Sequence, residues 1–107
     1  MYDAERLLAQ FESGALIRPS SEQPNVIDLV RALAEVCGVA GAADTECAKD
    51  LLHQVGRAEK LVFVLIDGLG AAMLDRLPSD SFLVRNRVRD LMTVFPSTTA
   101  PVLTSIA

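Results

Sequence analysis

Three groups of side chains in this sequence are of types that could do chemistry: the carboxylate of Asp67, the hydroxyls of Ser97, Thr98 and Thr99, and the imidazole of His53. Alcohols are poor nucleophiles at neutral pH and need an adjacent base or a metal that stabilises the alkoxide. No base stands close to the hydroxyls in sequence. A carboxylate on a neighbouring segment is the remaining way to bring a metal against one of them. Asp67 follows six consecutive apolar residues, Leu61-Val62-Phe63-Val64-Leu65-Ile66, and precedes Gly68-Leu69-Gly70. The glycines remove side-chain bulk where a ligand or metal would approach. Asp-Gly is also a common turn dipeptide, and a Ser/Thr run is also a capping turn, with Thr98 as the cap of a following helix. Each motif alone has that plain reading.

The remaining polar groups offer less. His53, the one histidine, lies six residues beyond Cys47, an offset that points the two side chains of a helix in different directions. Cys37 and Cys47 are not in a C-x-x-C pattern; they could pair, but without a secretion signal they read as two reduced core thiols of a cytosolic protein. Arg85, Arg87 and Arg89 are candidates for a phosphate clamp or for a solvated helix end.

The elements that must position these residues follow from periodicity and punctuation. An apolar run as short and as rich in Val and Ile as 61–66 predicts a strand buried on both faces of a parallel sheet. Asp67 would then lie at the carboxyl end of that strand, where open α/β sheets bind ligands. A second, mixed strand is expected over Leu91–Phe95. Leu7, Leu8 and Phe11 predict a short helix over 2–11, with Gly14 as its stop. Two prolines and two serines make Arg18–Pro24 a loop. Asn25 then caps a helix whose apolar stripe runs from Val26 to Cys37 and ends at Gly38. Thr45 caps a helix through about Val55, with Leu51 and Leu52 inward, His53 outward and Gly56 as its close. Ala71–Leu74 form a helical turn that Pro78 ends, and Ser79 or Asp80 caps another through Phe82–Val84. The expected fold class is therefore α/β.

Composition narrows the function. The 107 residues, half of them hydrophobic and 22% charged, suit about one small domain. The net charge of −4 argues against sequence-independent nucleic-acid binding. The acidic start Met1–Arg6 is not a secretory signal, and the longest apolar run is too short to cross a bilayer.

Taken in order, Val64-Leu65-Ile66-Asp67-Gly68-Leu69-Gly70 and Thr93-Val94-Phe95-Pro96-Ser97-Thr98-Thr99-Ala100-Pro101 resemble the N-terminal part of the alkaline phosphatase superfamily, most of all its nucleotide pyrophosphatase/phosphodiesterase branch. The resemblance covers about residues 60–107. It implies that Asp67 is a ligand in a two-zinc site and that Thr99, between Pro96 and Pro101, is the nucleophile and itself a metal ligand. Two Zn²⁺ about 4 Å apart would grip the phosphoryl group, one lowering the pKa of Thr99 and the other stabilising the leaving oxygen. Thr99 would attack in line, and the resulting phosphothreonine would be hydrolysed. The substrate would be a small phosphorylated molecule such as a nucleotide or phosphodiester. No Cys-x-Pro-x-Arg pattern marks the sulfatase branch.

On that resemblance the chain is organised as a helical N-terminal region, 1–59, and the start of an α/β catalytic domain, 60–107, an incomplete open sheet with helices on both faces. The family completes its metal sites with further Asp and His residues downstream of the nucleophile, and one histidine cannot supply them. The expectation is an N-terminal fragment of a larger hydrolase, inactive and poorly stable alone. The other expectations are a non-catalytic α/β binding module and a phosphomonoesterase or phosphosugar mutase of the same superfamily.

Overall fold

The computed structural model describes residues 3–17, 20, 22–93 and 106. Five helices follow one another: α1 (Ala4–Glu12), α2 (Val26–Val36), α3 (Glu46–Val55), α4 (Ala71–Leu74) and α5 (Phe82–Arg85). No sheet is present among the described residues. Their one β contact is an isolated parallel bridge between Asn25 and Met92, where Val26 N–H donates to Met92 O and Met92 N–H donates to Pro24 O, each at 3.0 Å.

The three longer helices form where caps and apolar spacing place them. In α1, Asp3 accepts from the Glu5 N–H at 3.1 Å, and the chain leaves the helix at Ser13 and Gly14. Leu7 and Leu8 are exposed, so α1 buries none of its residues. Helix α2 begins with a reciprocal capping box. The Asn25 side chain accepts from Asp28 N–H at 2.9 Å, and the Asp28 carboxylate accepts from Asn25 N–H at 3.0 Å. It ends in a Schellman motif: Gly38 takes φ 106°, Gly38 N–H donates to Glu35 O and Val39 N–H to Ala34 O, each at 3.0 Å. Thr45 caps α3, accepting from Ala48 N–H at 3.0 Å, and Gly56 at φ 74° closes it.

Helices α2 and α3 are the one helix pair with extensive contact among the described residues. Ala32 and Ala48 are fully buried, and Ala43 and Leu51 nearly so. Small residues at the crossing let the helices approach closely. The loop between them is drawn back onto α2 by Glu35, whose carboxylate accepts from Ala43 N–H at 2.8 Å, and by an Arg31–Asp44 ion pair at 2.8 Å. This hairpin holds the whole buried apolar core of the described residues. The radius of gyration is 16.0 Å, against about 13 Å for a folded domain of this length. Among the described residues, 57–93 are mostly exposed.

The α/β expectation is overturned here. Residues 61–66 join no ladder, and all six are exposed. An apolar β-type run becomes a strand only when another strand takes its backbone hydrogen bonds, and no described residue does so for 61–66. The open sheet with helices on both faces is absent for the same reason. Of the expected strand Leu91–Phe95, Met92 makes the isolated bridge, Leu91 and Thr93 are irregular, and Val94 and Phe95 lie outside the described residues. The cap of α5 is Ser81 rather than Ser79 or Asp80. It makes no side-chain capping bond, and its buried hydroxyl has no hydrogen-bond partner among the described residues.

Candidate active site

Asp67 ends the apolar run and opens a turn. Gly68 takes φ 75°, a left-handed conformation that glycine adopts without the strain a side chain would bring. No atom of the described residues comes within 4 Å of where a Cβ would stand at Gly68 or Gly70. Gly70 then caps α4 through its backbone, accepting from Met73 N–H at 3.0 Å. Of the expected order strand, Asp, Gly-x-Gly and helical turn, the turn at Asp67-Gly68 and the helical turn after Gly70 are formed and the strand is not; Asp67 is exposed. The burial expected at a sheet end is missing with the sheet.

The second half of the expected site, Ser97, Thr98 and Thr99, lies outside the described residues, so no distance relates Thr99 to Asp67. His53 is exposed on α3, as its spacing from Leu51 predicts. Cys37 and Cys47 are not joined in a disulfide, and neither is a core thiol: Cys37, just past the end of α2, is exposed and Cys47 is half-buried. Among the described residues no three His, Cys, Asp or Glu side chains come close enough together to hold a metal ion. Asp67 thus offers one carboxylate, and the described residues do not compose a two-metal centre.

Arg87, read from the sequence as part of a phosphate clamp or a solvated helix end, is paired with two carboxylates. Arg87 donates through Nε and Nη2 to the two carboxylate oxygens of Asp90, at 2.9 and 2.8 Å. Its Nη1 donates to Asp75 at 2.7 Å. The fork geometry of guanidinium suits this bidentate arrangement. Hydrogen bonding to Asp90, and next to Asp75, holds the Arg87 pKa above its ordinary value. The Arg87 hydrogen bond in turn holds Asp90 below the usual carboxylate range. Arg87 is therefore committed to carboxylates of its own chain, which removes it from a three-arginine clamp. The Asp90 partner at i+3 was the available signal; the Asp75 partner, twelve residues back, carried none.

Two hollows are formed by described residues. One of about 520 Å³ lies at the ends of α2 and α3, between Glu35, Val36, Leu52 and Arg57. The other, of about 580 Å³, runs beside Gln23, Pro24 and Arg87–Asp90. Neither includes Asp67. No helix among the described residues is long and apolar enough to cross a membrane. No family model, no curated protein and no solved structure matches this chain.

Proposed function

We propose that this chain carries part of the centre of a metal-dependent phosphoesterase of the nucleotide pyrophosphatase/phosphodiesterase type. Asp67 is assigned as a metal ligand and Thr99 as nucleophile and ligand. The observation that carries the reading is the ordered pair of motifs, Ile66-Asp67-Gly68-Leu69-Gly70 and Pro96-Ser97-Thr98-Thr99-Ala100-Pro101. Support comes from the left-handed turn at Gly68 beside Asp67, where a bare backbone lets a ligand approach. Two divalent cations, zinc by resemblance, belong to the proposal. Their remaining ligands come from residues outside these 107, because the sequence holds a single histidine.

The substrate class is a small phosphorylated molecule, a nucleotide or phosphodiester, with a phosphomonoester as the other choice within the same reading. Neither nucleic acid nor membrane is a proposed partner, in keeping with the net charge of −4. A cytoplasmic location is part of the proposal and rests on the two cysteines read as thiols.

The test is zinc content and bis(p-nitrophenyl) phosphate hydrolysis of the protein purified from its native cells. The expected result is about two zinc ions per chain, as two-metal hydrolysis requires, with Asp67→Ala losing metal and turnover together. Unchanged metal content and turnover in that variant would overturn the assignment.

A further inference from the structure

Met92 is bonded through both of its backbone groups to a segment far earlier in the chain. Its N–H donates to Pro24 O and its C=O accepts from Val26 N–H, each at 3.0 Å. Asn25, the residue between those partners, is itself held twice. Its N–H donates to Asp28 Oδ2 at 3.0 Å, and its side chain accepts from Asp28 N–H at 2.9 Å. The other oxygen of that carboxylate accepts from the Thr45 hydroxyl at 2.7 Å. A continuous series of hydrogen bonds therefore runs from the start of α3, through the start of α2, to Met92.

The last link of the series differs from the others in what it supports. Val26 is the first residue of α2, so its N–H has no acceptor within the helix. Met92 O is that acceptor. The capping box uses neither bond of the bridge, so α2 keeps its cap when Met92 leaves. Pro24 is buried, Met92 is half-buried and Thr93 is exposed. Two hydrogen bonds at the edge of a folded hairpin make an element that opens locally while the hairpin stays intact. Such an element has two states, closed and open, and both ends of the hydrogen-bond series can bias it.

We propose that the bridge between Pro24–Val26 and Met92 is a latch whose closure is set by the Thr45–Asp28 hydrogen bond. Asp28 orients the backbone at Asn25, and with it the Pro24 carbonyl and the Val26 N–H on either side, which must point together at Met92. The Thr45 hydroxyl anchors the Asp28 carboxylate in the position that does this. Without that anchor Asn25 is held less firmly, and the latch is open for more of the time. Coupling of this kind is reciprocal, so an open latch also loosens the Thr45–Asp28 bond. The state of the α2–α3 hairpin is thereby passed to Met92, which lies outside the core of the hairpin. Thr45 acts here as a positioning residue, through Asp28. This inference does not rest on the phosphoesterase reading, and its readout is amide exchange rather than metal or turnover.

The experiment is amide hydrogen exchange of the 107-residue chain, read residue by residue by NMR. The Met92 and Val26 amides are expected to exchange at rates that move together, and faster than the amides of Ala32 and Leu51 in the hairpin core. Thr45→Ala is expected to speed Met92 and Val26 by about threefold to tenfold, the weight of one lost hydrogen bond. Thr45→Ser is expected to leave both near their native rates. Leu51→Ala weakens the hairpin core without touching the series, and is expected to speed Ala32 while leaving Met92 nearly unchanged. Met92→Pro removes the donor to Pro24 O and tests the reverse direction. It is expected to speed exchange at Asp28 and Ala48, the two amides held by the caps. A Met92 amide unprotected in the native chain, or unaffected by Thr45→Ala, would overturn the proposal. So would equal acceleration of Met92 by Leu51→Ala and Thr45→Ala, which would mean that it opens only when the whole hairpin unfolds. Where Thr45→Ala fails to fold, Met92→Pro decides: native exchange rates at Asp28 and Ala48 in that variant would overturn the coupling.

Discussion

The Thr45 hydroxyl donates to Asp28 Oδ1 at 2.7 Å, joining the N-terminus of α3 to that of α2. Both residues are also caps: Thr45 Oγ1 accepts from Ala48 N–H, and Asp28 Oδ2 accepts from Asn25 N–H. One hydrogen bond thus couples the two capping systems of the hairpin, around a carboxylate that is only 6% exposed. Removing one partner leaves the other without its bond in a half-buried setting, which costs more than the bond itself contributes. Thr45→Ala is expected to lower stability by about 2–3 kcal/mol, combining a lost cap with an unpaired carboxylate oxygen. Thr45→Ser is expected to keep most of it. Urea unfolding followed by circular dichroism measures both, and a loss below about half a kcal/mol for Thr45→Ala, the low end for a cap alone, would mean that the clasp does not couple the helices.

The helix crossing rests on alanines. Ala32 and Ala48 have no accessible surface, so an added side chain has to push the helices apart. Ala48→Leu is expected to cost about 1–3 kcal/mol by overpacking, and Leu51→Ala about 2–4 kcal/mol by leaving a cavity. Thermal melts of the helical signal would show both as lower midpoints.

Gly38 separates conformational from steric cost. Its φ of 106° lies where side chains are strained, while no atom stands within 4 Å of the position a Cβ would take. Gly38→Ala is therefore expected to cost about 1–2 kcal/mol through backbone strain alone. Gly70→Ala, at φ −86° and equally open, is expected to be close to neutral. Equal effects of the two substitutions would contradict the strain explanation.

Low pH acts through Arg87. The Asp90 pKa is depressed in the folded chain by the Arg87 hydrogen bond. Its contribution is therefore present above the unfolded carboxylate value, about 3.9, and is lost as pH falls through the lower folded value. A carboxyl-carbon NMR titration is expected to find the Asp90 midpoint below the ordinary range and to return it there in Arg87→Ala. An ordinary midpoint in the native protein would mean that the bidentate pair does not persist in solution.

The proposed nucleophile separates from its neighbour by a single substitution each. In the active protein, Thr99→Ala is expected to lose turnover by on the order of 10³-fold or more, as for other nucleophile deletions. Thr98→Ala is expected to retain most of it. The reverse result would move the nucleophile to Thr98.

What the sequence determined by itself is local. Asn25, Thr45, Gly38 and Gly56 mark the ends of α2 and α3 because caps and left-handed closures act within about four residues of the position they punctuate. The apolar stripe of α2 marks its inward side only coarsely, because Asp28 and Ala32 are its buried residues while Leu29, Val30 and Leu33 stay half-buried; Asp67-Gly68 specifies a turn by itself.

Tertiary structure decided everything that needed a partner distant along the chain. Residues 61–66 have the composition of a buried strand, yet a strand exists only through another segment's hydrogen bonds, and in the described chain the run stays exposed. Asp75 meets Arg87 across twelve residues and Thr45 meets Asp28 across seventeen, and neither partner is signalled by its spacing. Such contacts leave no periodic trace in sequence, because chain folding alone sets which distant residues meet.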